Sequence, residues 1–400
     1  MNGPVDWREA RARAAAAAPP PAVEHVALPR ALGRVLAEPL VTPIPLPHFA
    51  SAAMDGWAVR GAGPWRLVES DAATGPDAAP DPDTGLARSV LRPGQAVPIV
   101  TGAPVPTGAD AILRVEAGGV DGDRLEAVGD VGRRDVSEHR HLRPAGSEAV
   151  AGERLLGPGV RLTPPRIALA AATGVDALAV RRRPRVAVVL TGDEVVESGV
   201  PGVGRVRDSF RIALPAALES LGAEVVGVVR IPDDTDATRA ALSGGDVDLV
   251  VTTGGTGRSD ADHVRRALDA MGAELLVPSV AIRPGGPTLL ARGGGRVVLG
   301  LPGNPLAAVL GLVAIGAPLV AAWTGLTPAE AVIRAGAPLA GREGTTGLVP
   351  ATVAEGVAMP TEFAGAGMLR GLASADVVLA VPPGGAARGE RVEALPLPWS

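Results

Sequence analysis

Glycines, hydroxyls and carboxylates gather in three short stretches of this chain: Thr191-Gly192-Asp193-Glu194, Thr252 to Asp262, and Gly300-Leu301-Pro302-Gly303-Asn304-Pro305. In the second, Gly254-Gly255-Thr256-Gly257 can bring backbone N–H groups close to an oxyanion, and Thr252, Thr253 and Thr256 offer hydroxyls. A terminal phosphate suits that chemistry. The spacing is neither G-x-G-x-x-G nor a glycine-rich loop closing on Lys-Ser/Thr. Asp193, Glu194, Asp233, Asp234, Asp260 and Asp262 all fall just past expected strands. Acids at helix N-termini have an electrostatic reason to be there, and it accounts well for Asp233 and Asp234. Several carboxylates beside a phosphate repel it unless a cation intervenes. Mg²⁺, held by one or two carboxylates plus phosphate oxygens, is the natural one. These residues alone point to a Mg²⁺-dependent phosphate or nucleotide site and leave the substrate open.

Each stretch follows an apolar run: Val186 to Leu190, Leu249 to Val251 and Val297 to Leu299. Short valine-rich runs read as strands buried on both faces, the pattern of a parallel sheet. Helical patterns lie between them, so the order is βαβ. Ligands of such sheets sit beyond the carboxyl ends of the strands. One site built from three loops is therefore expected. Two further segments carry chemistry upstream. Met54-Asp55-Gly56-Trp57 sets an acid before a turn glycine. Thr101-Gly102-Ala103-Pro104-Val105-Pro106 is a rigid loop with a free hydroxyl and backbone amides, able to hold an anion or to serve as a plain turn.

The chain has 400 residues, a formal net charge of -5 and no cysteine. That size calls for several domains. The charge gives no sign of a nucleic-acid binder, and the missing cysteines exclude disulfides and thiolate chemistry. Every basic side chain is an arginine. The charged, then alanine-rich start is unlike a signal peptide. Leu306 to Trp323 is apolar enough to span a membrane, but it contains Gly311, Gly316 and Pro318 and reads better as a buried helix. A cytoplasmic protein with no membrane partner is expected.

Composition divides the chain further. Asp6 to Ala18 reads as a helix stopped by Pro19, and Val26 to Leu40 reads as a second. Pro43, Pro45 and Pro47 make a stiff connector. Residues 43–140 read as an inserted β-rich domain without helical periodicity, with a mobile loop from Asp71 to Thr84. Residues 1–42 and 141–180 form a discontinuous helical or mixed linker domain. In it a helix starts at Thr163-Pro164 and packs with the N-terminal helices. Residues 181–325 form a three-layer α/β domain with a mostly parallel sheet, and residues 326–400 a small β-barrel-like domain.

Taken together, Met54 to Val59, Thr101 to Pro106 with Gly108-Ala109-Asp110-Ala111, Thr191 to Glu194, Gly254-Gly255 with Asp262, Gly300 to Pro305, and Gly367-Met368-Leu369 resemble the molybdopterin molybdenumtransferases, relatives of the gephyrin E domain. The resemblance runs in order along essentially the whole chain. It implies four domains, an elongated homodimer and a site shared between subunits, with a molybdopterin adenylyltransferase as a possible partner. It implies that adenylylated molybdopterin and molybdate give molybdenum cofactor and AMP with Mg²⁺. On that basis Gly254, Gly255 and Thr256 hold the pterin phosphate, with Thr191 and Gly192 beside them. Asp193, Glu194, Asp234 and Asp262 bind Mg²⁺ or orient the adenylyl phosphate. Pro302, Gly303, Asn304 and Pro305 shape the pterin pocket, and Asp55 and Thr101 reach in from the partner. The family's usual Lys-Pro-Gly-Lys-Pro is here Arg283-Pro284-Gly285-Gly286-Pro287, so Arg283 is the expected molybdate holder. Gly286 in place of a second cation leaves open a non-catalytic molybdopterin carrier. The Thr-Gly-Gly-Thr-Gly loop leaves open a molybdopterin adenylyltransferase.

Overall fold

The computed structural model describes residues 3–69, 90–257, 262–326 and 331–399. The expected mobile loop at 71–84 and Asp260 lie outside them. The α/β domain holds six strands: β1 (Arg185–Leu190), β2 (Glu224–Arg230), β3 (Leu249–Thr253), β4 (Glu274–Val277), β5 (Leu289–Gly293) and β6 (Arg296–Leu301), in the order β2-β1-β3-β6-β5-β4. The pairs β1–β2, β1–β3 and β3–β6 are parallel, while β5 runs antiparallel to both neighbours. Successive side chains of a strand point to opposite faces. Accordingly Val188, Val251 and Leu299 enter one buried cluster, and Val189, Val250 and Val298 the other. Both faces are thus covered. Helices α1 (Phe210–Leu221), α4 (Pro305–Gly311) and α5 (Ala317–Thr324) pack on the first face, and α2 (Thr235–Ser243) and α3 (His263–Ala270) on the second.

Leu190 lies opposite Thr253, and Thr253 opposite Leu301. The three strands therefore end level with one another, and their loops leave the sheet side by side. The apolar stretch Pro305–Thr324 passes through a π-helical turn at Leu312–Gly316, and 83% of its most apolar window is buried inside the protein. It is the core helix that its interrupting glycines suggested.

Two expectations need correction in the N-terminal region. The helix Trp7–Ala17 forms, capped by Asp6 through the amides of Arg8 (2.9 Å) and Glu9 (3.3 Å). It packs on the α/β domain, however, not on the linker. Trp7, Ala10, Ala14 and Ala17 join the central core, and small alanines permit close contact with α5. The second helix expected from Val26 to Leu40 is absent. Val23–Ala27 is a strand paired with Ala177–Arg181, Leu28–Arg30 is one 3-10 turn, and Leu40–Val41 pairs with Arg154–Leu156. Pro29 sits in the first turn of that short helix, and Val35 and Leu36 make isolated bridges to Arg161 and Val180. Alternation along strands, misread as helical spacing, explains the error. The linker strands from before and after the inserted segment pair with each other, which makes the β-rich region an excursion from one layer. The Thr163-Pro164 helix spans Pro164–Ala172.

The inserted region is a six-stranded sheet ordered Ala111–Arg114, Gly56–Val59, Gln95–Ile99, Trp65–Leu67, Arg124–Ala127, Gly118–Asp121. It also carries a helix, Gly129–Ser137, which corrects the expectation of a region without helical periodicity; the helix is short and is interrupted by Gly132. At the C-terminus, strands Thr346–Ala354, Val357–Pro360, Ala331–Ala335, Arg391–Pro396 and Val377–Val381 close on themselves through the first and last of that order. Closure leaves no free sheet edge. Ile282–Arg283 adds to the barrel beside Thr346 and Gly347.

Candidate functional site

The three level loops open on one cleft of about 630 Å³. Thr191, Gly192 and Glu194 line it after β1. Thr253, Gly254 and Gly255 follow β3, with Asp262 and His263 at the start of α3. Gly303, Asn304 and Pro305 follow β6. Asn304 stands at the N-cap of α4, and Pro305 takes the first turn, where its missing N–H costs nothing.

The β1 loop is held from two sides. Asp233 accepts from the amides of Gly192 (3.0 Å) and Asp193 (3.3 Å). Arg230 Nη1 donates to the carbonyls of Thr191 (3.0 Å) and Gly192 (3.4 Å), while its Nη2 pairs with Asp208. Asp208 also accepts from the amides of Phe210 (3.0 Å) and Arg211 (2.9 Å), so it caps α1. Burial pushes the Asp208 carboxyl upward, but the Arg211 amide, the Arg230 guanidinium and the Phe210 amide outweigh it and hold it below the usual carboxylate range.

The β3 loop is braced by its neighbours. Gly254 donates to Leu301 O at 3.0 Å, and Thr191 Oγ1 donates to Thr253 O at 2.7 Å. Gly254 has φ +78°, and a Cβ there would lie 2.6 Å from Thr191 Oγ1. Only glycine meets both demands. Asp262 Oδ1 accepts from the Gly257 amide at 2.9 Å. Among the described residues the buried hydroxyls of Thr252 and Thr253 have no hydrogen-bond partner, and Thr253 also lines the cleft. An orphaned hydroxyl there fits a polar ligand, since a buried polar group ordinarily has a partner.

The carboxylates expected as one metal set do not gather. Among the described residues no group of three or more His, Asp or Glu side chains is placed to hold a metal. Asp234 caps α2, accepting from the Ala237 amide at 2.8 Å, and lines no part of the cleft. Asp193 is outside the lining as well; its carbonyl accepts from Arg205. Glu194 and Asp262 do face the cleft. Two carboxylates suffice for Mg²⁺ when phosphate oxygens and water complete the shell, so the residues present fit that ion in the smaller form. Thr256 is only 2% exposed, packed beneath the loop instead of opening on the cleft. Pro302 is buried under its loop. Arg283 is exposed and carried on the strand that joins the barrel, outside the cleft lining.

Asp55 and Thr101 come together on the inserted domain, away from this cleft. Asp55 Oδ1 accepts from the Thr101 amide at 2.6 Å and its hydroxyl at 2.8 Å. Those two bonds hold the exposed Asp55 carboxyl below its ordinary range. Gly56 has φ +151° and its Cβ would meet Leu113 O at 2.0 Å, so the following strand demands glycine.

Several cleft residues escaped the sequence reading as site members. Arg207, Asp208, Ser209 and Phe210 enter from the start of α1. In the sequence, Asp208 and Ser209 have the residue types of a helix cap. Asp233, read as a cap, lines the cleft and braces the β1 loop. Gly367 and Leu369 enter from the C-terminal domain, held there by the Ala307 amide donating to Ala366 O at 3.2 Å. No spacing in the chain could have disclosed that contact.

This arrangement defines a multidomain α/β protein whose ligand cleft lies at the carboxyl ends of its parallel strands. Residues 5–174 match the MoeA N-terminal region (domain I and II), residues 187–322 a probable molybdopterin binding domain, and residues 332–397 the MoeA C-terminal region (domain IV). Molybdopterin molybdenumtransferase 2 of Mycobacterium tuberculosis is 36% identical over 297 residues, 71% of each chain. The molybdopterin molybdenumtransferase of Synechococcus elongatus is 34% identical over 302 residues, 72% of each. The molybdopterin biosynthesis moea protein from Pyrococcus horikosii superposes with a TM-score of 0.75 at 26% identity, over 99% of both chains. The chain belongs to the molybdopterin molybdenumtransferase family and is an enzyme of molybdenum cofactor biosynthesis.

Proposed function

We propose that this enzyme takes adenylylated molybdopterin and molybdate and yields molybdenum cofactor and AMP, as a cytoplasmic Mg²⁺-dependent homodimer that receives its pterin from a molybdopterin adenylyltransferase. The observation that carries the reading is the alignment of Leu190, Thr253 and Leu301 at one level, with three polar loops opening on a single cleft. The amides of Gly254 and Gly255 and the free Thr253 hydroxyl suit the pterin's phosphate. Gly303, Asn304 and Pro305, with Gly367, shape the wall for its ring. Glu194 and Asp262 suit a magnesium ion. Bound Mg²⁺ would neutralise the phosphoanhydride that breaks between pterin phosphate and AMP. The chain's own share is to fix the phosphates and to narrow the range of substrate geometries, with no covalent intermediate on the protein.

Asp55 and Thr101 enter the reaction in this reading from the partner's inserted domain. Support comes from their character: an exposed carboxylate, kept ionised by two short hydrogen bonds from Thr101, on no wall of its own chain's cleft. Mixing an Asp55→Asn chain with an Asp262→Asn chain tests this. Half the dimers would be mixed, and each would rebuild one of its two sites, so about a quarter of wild-type turnover should return. Failure of the inactive pair to complement would reject the shared site.

One observation favours a second reading, a molybdopterin carrier without turnover. Gly286 leaves the oxyanion loop a single exposed cation, Arg283. Tight pterin retention without AMP release, reversed by Gly286→Lys, would select it.

A further inference from the structure

Three guanidinium groups converge where the linker strands abut the α/β domain. Arg161 Nε and Arg183 Nη2 each lie 3.4 Å from a carbonyl of one turn, those of Gly33 and Leu32. Both distances are long for an N–H···O bond. Arg34 follows in the same turn and is 9% exposed; it pairs with Glu24 and donates to Arg181 O at 2.9 Å. The Nε atoms of Arg34 and Arg183 are buried and have no hydrogen-bond partner among the described residues. Among the described residues neither Arg161 nor Arg183 has an ion pair, and of the three only Arg34 has one, with Glu24.

Burial, then the charges of Arg34 and Arg161, push the Arg183 guanidinium below its usual range, while Glu224 and Glu219 pull weakly the other way. Its neighbour Arg182 shows the contrast, with a bidentate pair to Asp248 at 2.9 and 2.8 Å. A structural reason does exist for Arg161, whose Nη2 donates to Ser220 O at 3.1 Å at the C-terminus of α1, where a cation is favoured. Arg183 has only the long contact to Leu32 O and, among the described residues, no ion pair. Converging guanidiniums with unused N–H groups are the chemistry that binds tetrahedral oxyanions.

We propose that Arg161 and Arg183, backed by Arg34, form a second anion-binding site at the junction of the linker and α/β domains, taking a tetrahedral dianion, either an inorganic oxyanion or the phosphate of a phosphomonoester. The site shares no lining residue with the cleft. Helix α1 connects the two, with Phe210 at the cleft end and the Ser220 carbonyl at the arginine end. The inference does not rest on the reaction proposed above.

Tungstate is a suitable electron-dense probe. Crystals of the full chain soaked in it should show an anomalous peak between Arg161 and Arg183. In solution, Arg161→Gln with Arg183→Gln should weaken tungstate binding at this site at least ten-fold, and Arg183→Lys should weaken it less. Arg183→Gln alone should raise the thermal midpoint in anion-free buffer, because a repulsion is removed, and lose the gain that phosphate gives the wild type. Displacement of the peak by AMP would identify a phosphomonoester site, and persistence of the peak an inorganic one. An empty junction in the soaked wild-type crystals would overturn the proposal whether or not the variants fold. So would unchanged tungstate binding in a folded double variant.

Discussion

Arg230 and Asp208 join two elements that build the cleft: the end of strand β2 and the cap of helix α1. The Asp208 side chain is 2% exposed and that of Arg230 17%, so their ion pair is largely out of water. The same guanidinium grips the Thr191 carbonyl at 3.0 Å. One side chain thus ties the β1 loop to the helix that lines the cleft opposite it.

Removing Arg230 leaves a buried carboxylate without its cation. Arg230→Met should cost about 3–5 kcal/mol in urea unfolding. Asp208→Asn should cost less, because an amide oxygen can still cap α1.

The Asp208 carboxyl also imposes a pH dependence. Its folded value is depressed below the unfolded value of about 3.9. The stabilisation it contributes is therefore complete above the unfolded value and is lost as pH falls through the folded one. Unfolding free energies measured from about pH 7 to about pH 3 should fall less steeply at the acid end in Asp208→Asn than in the wild type. Parallel curves would show that Asp208 contributes no proton linkage.

The two kinds of acid in the α/β domain should separate on substitution. Glu194→Gln and Asp262→Asn should raise the Mg²⁺ concentration for half-maximal turnover at least about ten-fold, the lower end of the loss seen even for groups that only orient a ligand. Asp234→Ala should leave that concentration unchanged and cost about 1 kcal/mol of stability, the worth of a helix cap. An Asp234 effect on Mg²⁺ dependence would restore the four-acid set that the geometry divides.

Gly254→Ala sets a side chain against Thr191 Oγ1 in a left-handed conformation. It should destabilise the protein by about 1–3 kcal/mol and weaken molybdopterin retention. Gly272→Ala has a similar φ of +63° and open space around it. It should show the backbone cost with pterin retention unchanged. Equal retention in both variants would remove the β3 loop from the phosphate site.

Much of this was legible in the residues themselves. Valines 186, 188, 250 and 251 announced strands buried on both faces, and their polar glycine-bearing ends announced loops at one edge. What stayed hidden depends on contacts distant in sequence. Asp234 and Asp262 look alike in the chain; only the direction of each side chain makes one a cap and the other a cleft residue. Asp233 looked like a spare cap until the β1 loop was seen to hang from it. The start of the chain misled for a different reason. Val26 to Leu40 has enough apolar residues for a helix, but partners at Ala177–Arg181 draw its first part into a strand. Leu369 reaches the cleft across a domain boundary that local spacing does not encode.

The most direct measurement is AMP release by the purified protein supplied with adenylylated molybdopterin, Mg²⁺ and molybdate at low concentration. Release of AMP in step with formation of active molybdenum cofactor is the predicted result. Bound substrate that stays intact under excess molybdate and Mg²⁺ would contradict the account.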